Sequence, residues 1–210
     1  MFTLKSLKYK DILDIKNMSM EKGQITSIIG ESGSGKTTLL KHLNKMISPS
    51  SGEIYYKSTP LSQIDSVKLR REVVMLAQTP IAYRGSIRDN LLIGLKFSQK
   101  EPVPDTTLEY MLEHTGVKKK LDDSIEDLSG GELQRVSLAR VIIMKPEVLL
   151  LDEPSSALDS ESEKKIIELV IDYSKENNKT LIMITHSEDM AREVSDKVIV
   201  LEKNKTYKEA

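Results

Sequence analysis

One stretch decides the fold: Ile25 to Thr37, which reads ITSIIGESGSGKT. Its first five residues form a short apolar run that closes at Gly30, a pattern typical of a buried strand. A loop of Gly and Ser follows, and Lys36 to Lys45 is predicted to form a helix that ends before the turn-forming residues 49–52. The sequence therefore predicts a buried strand, a glycine-rich turn and a helix in direct succession.

The turn matches G-x-x-x-x-G-K-[ST], the pattern of a phosphate-binding loop. Its glycines let the backbone N–H groups wrap a phosphate at the positive end of the helix. Lys36 is predicted to reach the β- and γ-phosphates of ATP, and the Thr37 hydroxyl is predicted to bind Mg²⁺. The alternative is an ordinary Gly/Ser-rich turn with a solvated lysine, but the flanking strand and helix favour the phosphate loop. The residues predicted to hold the nucleotide are Gly30, Glu31, Ser32, Gly33, Ser34, Gly35, Lys36, Thr37 and Thr38.

A second apolar strand, Val148 to Leu151, ends in the acidic pair Asp152-Glu153. Many strands end in an acidic turn, so the pair alone says little. With the phosphate loop upstream, Asp152 is predicted to hold Mg²⁺, directly or through water. Glu153 is placed to polarise the water that attacks the γ-phosphate. The two stretches together predict a site for ATP hydrolysis.

Apolar strands alternate with amphipathic helices around these stretches. This alternation predicts a mainly parallel sheet that is covered on both faces and binds ligands at the carboxyl ends of its strands. From about residue 79 to 145, Pro and Gly punctuate a largely helical stretch, which indicates a helical lobe inserted in the α/β core. Capping boxes are predicted at Thr106 with Glu109 and at Ser160 with Glu163. The helices predicted beyond residue 79 are Ser86–Leu92, Thr106–Thr115, Gly131–Met144, Ser160–Lys175 and Glu188–Val194.

The composition argues against several other classes. The 31 Lys and Arg residues nearly balance 32 Asp and Glu residues, so no nucleic-acid partner is expected. Because cysteine is absent, disulfides and thiolate metal sites are excluded. The charged N-terminus does not resemble a signal peptide, and no apolar run is long enough to span a bilayer. Any membrane association is therefore expected to come through a partner.

The stretch from Leu128 to Glu132 reads LSGGE and is followed by Gln134-Arg135. Together they resemble the signature motif of the ABC ATPases. Ser129 and Glu132 also have the spacing of a capping box, and the two interpretations are compatible because a glycine-rich helix N-terminus is an anion site. The resemblance implies contact with the γ-phosphate of nucleotide held by the opposite subunit. The residues implied in this contact are Ser129, Gly130, Gly131 and Glu132.

The same resemblance implies roles for residues that are weak signals alone. Gln78 corresponds to the glutamine that touches Mg²⁺ and the attacking water, although an isolated glutamine would be a surface-loop residue. His186 resembles the switch histidine that hydrogen-bonds the γ-phosphate, and Tyr9 the aromatic residue that stacks on adenine. The alternative for His186 is a merely structural histidine after a strand. The alternative for Tyr9 is a strand tyrosine that packs its ring against the protein. The stretch from Ser156 to Asp159 resembles the loop that crosses the dimer interface, but it equally reads as a turn and helix cap.

The fold implied is α/β: a P-loop NTPase core with a mainly parallel sheet, an N-terminal antiparallel β subdomain and the inserted helical lobe. It would make residues 1–210 a single ABC ATPase domain. The function implied is Mg²⁺-dependent ATP hydrolysis in a homodimer, or in a heterodimer with a related cassette. The γ-phosphate of ATP would close the dimer, and hydrolysis would remove the contact that holds it shut. That motion would power an integral membrane permease subunit, with this chain cytoplasmic and peripheral at the inner face of the cell membrane. The segment from Gln78 to Leu91 together with LLLDEPSSALD resembles small bacterial cassettes of iron efflux, although cassettes for amino acids, phosphate and lipoprotein release share almost everything else.

Three other classes explain less of the sequence. A non-transport ABC ATPase normally carries a long coiled-coil insertion or a second cassette. A small-molecule kinase needs a lid with arginines and would leave LSGGE unexplained. A regulatory ATP-binding clamp without turnover would be expected to lack Glu153 or a signature glycine.

Overall fold

Two sheets organise the chain, of which the computed structural model describes residues 1–155, 158–203 and 208–209. The described strands are β1 (Phe2–Tyr9), β2 (Leu13–Met20), β3 (Ile25–Ile29), β4 (Ser51–Tyr56), β5 (Thr59–Pro60), β6 (Val73–Leu76), β7 (Val148–Asp152), β8 (Thr180–Ile184), β9 (Lys197–Val200) and β10 (Lys208–Glu209). The described helices are α1 (Lys36–Leu43), α2 (Ser66–Glu72), α3 (Ile87–Ser98), α4 (Asp105–His114), α5 (Gly130–Ile143), α6 (Ser160–Glu176) and α7 (Glu188–Val194).

The smaller sheet is antiparallel, in the order β2-β1-β4-β5. Its strands alternate between buried and exposed residues, as a sheet with one solvated face requires. A register shift interrupts the β1–β4 pairing between Lys5 and Lys8, where Ser6 has a φ of 49°. Gly52 lies opposite with a φ of 84°, and a Cβ there would come within 2.2 Å of the Ser6 carbonyl oxygen. This irregularity bends β1 before Tyr9. The prediction of an N-terminal antiparallel subdomain is confirmed.

The larger sheet runs β10-β9-β3-β8-β7-β6 and is parallel except for the β9–β10 pair. Every residue of β3, β7 and β8 is buried, which explains why these strands are continuous apolar runs. The side chains of β7 alternate between two cores. Leu149 and Leu151 face the helical side, whereas Val148 and Leu150 face the small antiparallel sheet. The predicted mainly parallel sheet with both faces covered is confirmed.

Each predicted helix is present, and all but α3 begin and end within two residues of their predicted bounds. Helix α3 continues to Ser98, six residues beyond the predicted end, because its apolar face packs on α5. Helix α2 was not predicted at all, although Asp65 caps it by accepting hydrogen bonds from the backbone N–H groups of Val67 and Lys68. Helices α3, α4 and α5 all lie within the stretch predicted as an inserted lobe.

Two of the predicted capping boxes are wrong. Helix α4 begins one residue before Thr106, with Pro104 at the N-cap position and no side-chain cap. Helix α6 is capped by Asp159, whose carboxylate accepts from the Ser162 N–H at 3.0 Å. Glu163 instead accepts a hydrogen bond from the Ser155 hydroxyl at 2.8 Å. Aspartate is as good an N-cap residue as serine, and Asp159 has the extended backbone that this position requires.

The strand register brings three chain segments to one edge of the parallel sheet. Asp152 pairs with Ile184, and Ile28 pairs with the same residue of β8. The segments that leave β3, β7 and β8 are therefore neighbours, as expected for the carboxyl ends of parallel strands. No helix in the described ranges combines the length and apolar character needed to cross a bilayer.

Candidate active site

The phosphate loop wraps around the side chain of its own lysine. Lys36 is buried, and its Nζ donates hydrogen bonds to the carbonyl oxygens of Gly30 at 2.7 Å and Glu31 at 2.9 Å. Gly30 and Gly35 have φ values of 144° and 97°, which L side chains rarely adopt. A Cβ at Gly30 would also come within 2.2 Å of the Leu201 carbonyl oxygen. The loop shape thus depends on glycine at the positions that the pattern specifies.

Ser34, in the middle of this loop, shows that the cradle suits an anion. Its Oγ is buried and has no hydrogen-bond partner among the described residues. An unpaired buried hydroxyl costs about 1 to 3 kcal/mol. The loop also leads into the N-terminal end of α1, where Gly35 is the N-cap residue. A phosphate bound there would accept from the hydroxyl and meet the positive end of the helix.

Thr37 and Asp152 meet beside the loop, 115 positions apart in the sequence. The Thr37 hydroxyl donates to Oδ1 of Asp152 at 3.0 Å. Asp152 is 2% exposed, and this burial, helped by the negative charge of Glu153, raises the pKa of its carboxyl group despite the bond from Thr37. A hydroxyl and a carboxylate are hard oxygen ligands of the kind that Mg²⁺ prefers. The pair therefore fits a magnesium site, and a divalent cation would offset the cost of burying the charge.

Glu153 is held from two sides. Its Oε2 accepts from Nε2 of Gln78 at 2.6 Å, and its Oε1 accepts from Nε2 of His186 at 2.7 Å. The three residues follow β6, β7 and β8, so the sheet edge itself brings them together. Glu153 also has a φ of 51°, a left-handed conformation that is uncommon for glutamate. Such strain costs of order 1–3 kcal/mol and clusters at functional sites.

The signature stretch forms the N-terminal end of α5. Oε2 of Glu132 accepts from the Ser129 N–H at 2.9 Å and from its hydroxyl at 2.8 Å, so the capping box predicted here is confirmed. These hydrogen bonds lower the pKa of the Glu132 carboxyl group. Ser129 and Gly130 are exposed. Within the ranges that the structure describes, no hydrogen bond links Ser129, Gly130 or Gly131 to the cluster around Glu153.

Tyr9 lies at the end of β1 on the side of α1. Its ring meets the ring of His42 edge-on, with centroids 4.8 Å apart, and the Lys10 ammonium lies 5.2 Å from its centroid. The structure thus places Tyr9 beside the helix that follows the phosphate loop. His42 is fully buried, whereas His114, on α4, is exposed. Of the predicted interface loop, Ser156 and Ala157 lie outside the described residues.

Comparison with known proteins identifies the family. A family model described as ABC transporter matches residues 13–156. The chain belongs to the ABC transporter family. It is an ABC-type ATPase, and its nucleotide is ATP.

The relatives of this cassette are named for the transport of different substrates. It is 34% identical over 200 residues to the tungstate uptake system ATP-binding protein TupC of Peptoclostridium acidaminophilum, covering 94% of this chain and 91% of the relative. It is 36% identical over 191 residues to the probable iron export ATP-binding protein FetA of Escherichia coli, covering 91% and 84%. A solved dimeric ATP-binding cassette in a post-hydrolysis state, bound to ADP and phosphate, superposes with a TM-score of 0.88 at 27% identity. That match covers 100% of this chain and 98% of the solved chain.

One link in this cassette escaped the sequence analysis. The side-chain amide of Gln134, on α5, donates to the carbonyl oxygen of Pro154 at 3.3 Å and so joins the signature helix to the turn after Glu153. Gln134 belongs to the motif, but its partner lies 20 positions away on another element. Spacing alone carries no signal for such a contact.

Proposed function

We propose that this cassette hydrolyses ATP at sites shared between two copies and thereby drives a membrane permease. The observation that carries the proposal is the Glu153 carboxylate, fixed by Gln78 and His186 next to the Thr37–Asp152 pair. A regulatory protein that binds ATP without hydrolysing it has no need for a strained glutamate that accepts two hydrogen bonds at this place. The arrangement supports hydrolysis by a positioned water molecule.

Each residue of the cluster has a distinct role in the proposed reaction. Lys36 leaves its carbonyl partners and neutralises the β- and γ-phosphate oxygens. Thr37 and Asp152 would hold Mg²⁺, with the free Oε1 of Gln78 as a further ligand. When bound, Mg²⁺ supplies positive charge against the developing charge on the phosphate oxygens. Glu153 accepts a hydrogen bond from the attacking water and takes its proton.

The remaining side chains of the cluster orient Glu153. A carboxylate only accepts hydrogen bonds, so His186 carries its proton on Nε2 when it donates to Oε1. The Gln78 amide fixes the other oxygen. His186 is largely exposed and can turn toward the γ-phosphate, as the family resemblance implies. Tyr9 remains the proposed platform for adenine.

A second copy of the chain would complete each site. Ser129, Gly130 and Gly131 lie at a helix N-terminus that suits an anion, and Ser129 and Gly130 are exposed. In the described part of the chain, no hydrogen bond joins them to the phosphate loop. The capping box holds this end of α5 rigid. The solved cassette that resembles this chain is dimeric and bound to ADP and phosphate, which supports a pair of copies. The resemblance of the signature motif implies that they pair head to tail. Loss of the γ-phosphate would remove the contact that holds such a pair closed.

A groove on this chain supports docking of an integral membrane permease subunit. It encloses about 460 Å³ between α1, α2, α3, α5 and the segment after β6. Four of the six exposed large apolar side chains in the described ranges line it: Met46, Val67, Ile81 and Phe97. An apolar patch of this kind marks an interaction surface. It would place this chain at the inner face of the cell membrane.

The cargo proposed is a metal ion, with iron export as the specific case. The export-type segment that begins at Gln78 and the 36% identity to a probable iron export protein support it. A relative named for tungstate uptake is 34% identical, so the cassette itself carries little cargo information. Specificity would lie in the permease.

The decisive experiment compares the parent chain with Glu153→Gln. Glutamine keeps the shape of the side chain but cannot take a proton, so turnover with Mg²⁺ should fall on the order of 100-fold or more. ATP should still bind and should convert the variant to a dimer, measured as molecular mass in solution. Glu147→Gln is the matched control, because Glu147 immediately precedes the opposite end of β7 and pairs with Lys179. Parental turnover in Glu153→Gln, or a variant that stays monomeric with ATP, contradicts the proposal.

A further inference from the structure

Arg140, on the signature helix α5, binds a segment that leads to the active site. Its Nη1 donates to the carbonyl oxygen of Ile81 at 3.0 Å. Its Nε and Nη2 donate to Asn90, at 2.6 Å to the carbonyl oxygen and at 2.9 Å to Oδ1. The guanidinium carbon lies 5.1 Å from the ring centroid of Tyr83. The planar fork of arginine therefore donates three hydrogen bonds to neutral oxygen atoms and lies beside an aromatic ring.

Asn90 completes this network from helix α3. It is fully buried, and its Nδ2 donates to the carbonyl oxygens of Tyr83 at 2.7 Å and Ser86 at 2.9 Å. Its Oδ1 accepts in return from the Tyr83 N–H at 2.8 Å. Buried polar networks with all members satisfied hold one arrangement and resist others. We call Arg140 and Asn90 with these bonds the clamp.

The segment from Ala77 to Gly85 needs the clamp because the core does not hold it. It has no regular secondary structure, and most of its residues are exposed. Side-chain hydrogen bonds hold the segment at two places. At one end Gln78 donates to Glu153. Nearer the other end the clamp bonds to the backbone of Ile81 and Tyr83. A shift at the clamp is therefore passed to Gln78 over only a few residues of backbone.

The clamp also forms part of the docking groove. Ile81, Tyr83 and Arg140 line it, and the Tyr83 ring packs edge-on against Phe97 with centroids 5.8 Å apart. A partner in the groove would contact the residues that the clamp holds. The same arginine belongs to α5, whose N-terminal end carries Ser129.

We propose that Arg140 is a positioning residue, which through Asn90 and the Ile81–Tyr83 backbone holds Gln78 against Glu153. This inference rests on the role given to Gln78 in the proposed function. The inference adds Arg140 to the residues on which turnover depends, although Arg140 would touch neither the nucleotide nor the attacking water.

The first test replaces Arg140 by glutamine and, separately, by lysine. Neither side chain reproduces the three-way fork, and Arg140→Lys keeps the positive charge and the aliphatic stem. Both variants should bind Mg²⁺-ATP with nearly parental affinity while kcat falls on the order of 10- to 100-fold, the effect of a small displacement of a catalytic group. Arg88→Gln is the matched control, since Arg88 pairs with Asp105 and Asp122 in the same lobe and does not touch the segment. Parental kcat in folded Arg140→Lys overturns the inference.

The second test combines Arg140→Lys with Gln78→Ala. If Arg140 acts through Gln78, the double variant should turn over within about twofold of Gln78→Ala alone, whereas independent effects would multiply. Multiplying effects would overturn the positioning role and leave the proposed function intact. Parental kcat in Gln78→Ala would instead overturn the role of Gln78 and this inference with it. Thermal unfolding of each variant shows whether a loss of kcat reflects a loss of folding.

Discussion

At the scale of single residues, Asp152 combines two opposing requirements. Burial raises the pKa of its carboxyl group, so its ionised form destabilises the protein without a cation. The same ionised form is what a magnesium site requires. Function and stability therefore conflict at this position.

Asp152→Asn should make the nucleotide-free chain more stable and less responsive to Mg²⁺-ATP. Asparagine can still accept the bond from Thr37 without a buried charge. We expect Tm to rise by about 2 to 4 °C, the shift that corresponds to roughly 1 kcal/mol at this chain length. Mg²⁺-ATP at about 100 times Kd should stabilise the parent by about 2.7 kcal/mol and the variant by much less. A lower Tm in the nucleotide-free variant would contradict the assignment.

The pH dependence of this difference has a defined sign. A carboxyl group whose pKa is raised on folding destabilises the fold above its folded pKa, and this cost disappears as the pH falls through it. The gap in Tm between Asp152→Asn and the parent should therefore be largest near neutral pH and narrow on acidification toward the ordinary aspartate value of 3.8. Thermal scans at a series of pH values measure it. A gap that widens in acid would show that burial of the charge is not the cause.

The sequence predicts residues of the active site well wherever a local pattern fixes them. The phosphate loop needs glycines at fixed spacing, and Asp152 and Glu153 follow a strand that could only be buried. The bonds of Gln78 and His186 to Glu153 follow from the order of neighbouring strands, which a parallel topology supplies. Arg140 gave no such signal, because its partners Asn90 and Ile81 lie 50 and 59 positions away, and Ile81 is on a segment without regular structure. The roles of these residues stay predictions until they are measured.

At the scale of elements, helix boundaries and caps were the weakest part of the sequence analysis. The spacing of a capping box recurs by chance in a chain rich in Glu and Ser. Asp159 and Pro104 define the starts of α6 and α4 because each adopts an extended backbone just before the helix. Helix α2 is short, and only Leu69 is buried, so it lacks the apolar periodicity that reveals longer helices.

Gly52 supports the bend in the antiparallel sheet and should not tolerate a side chain. In Gly52→Ala the new Cβ would meet the Ser6 backbone at 2.2 Å, in addition to the cost of a φ of 84°. Gly116→Ala is the matched control, because Gly116 has a φ of 69° and nothing within 4 Å of a Cβ. The control should lose about 1 to 2 kcal/mol from its backbone conformation alone. Gly52→Ala should lose about 1 to 3 kcal/mol more, and equal losses in a denaturation experiment would contradict the close approach.

At the scale of the whole molecule, the proposed shared site can be tested by mixing two inactive chains. Lys36→Ala removes the phosphate-loop lysine, and Gly130→Asp places a negative charge where the γ-phosphate of the other copy would lie. A Cβ at Gly130 meets nothing within 4 Å, so this variant should fold. Each chain alone should be inactive, but mixed dimers keep one complete site. An equal mixture should recover about one quarter of parental turnover, since half of the dimers are mixed and each has one of two sites.

The control and the contrary outcome are both simple. Each variant incubated with more of itself, at the same total concentration, is the control and should stay inactive. No recovery in the mixture, with both chains folded and able to exchange partners, would mean that two copies of this chain do not share a site. A heterodimer with a related cassette would then become the working pair.

The strand order of the parallel sheet also has a consequence during synthesis. Among the described strands, β3 pairs with β8 and β9 alone, and its residue Ile25 lies 156 positions before its partner Leu181. At translation rates of 5–20 residues per second, the ribosome needs roughly 8 to 30 s to supply that partner. For that time an apolar strand with two unpaired edges is exposed to aggregation in the nascent chain. The ITSII segment is therefore a site where a chaperone would bind the nascent chain, before the fold can present a nucleotide site.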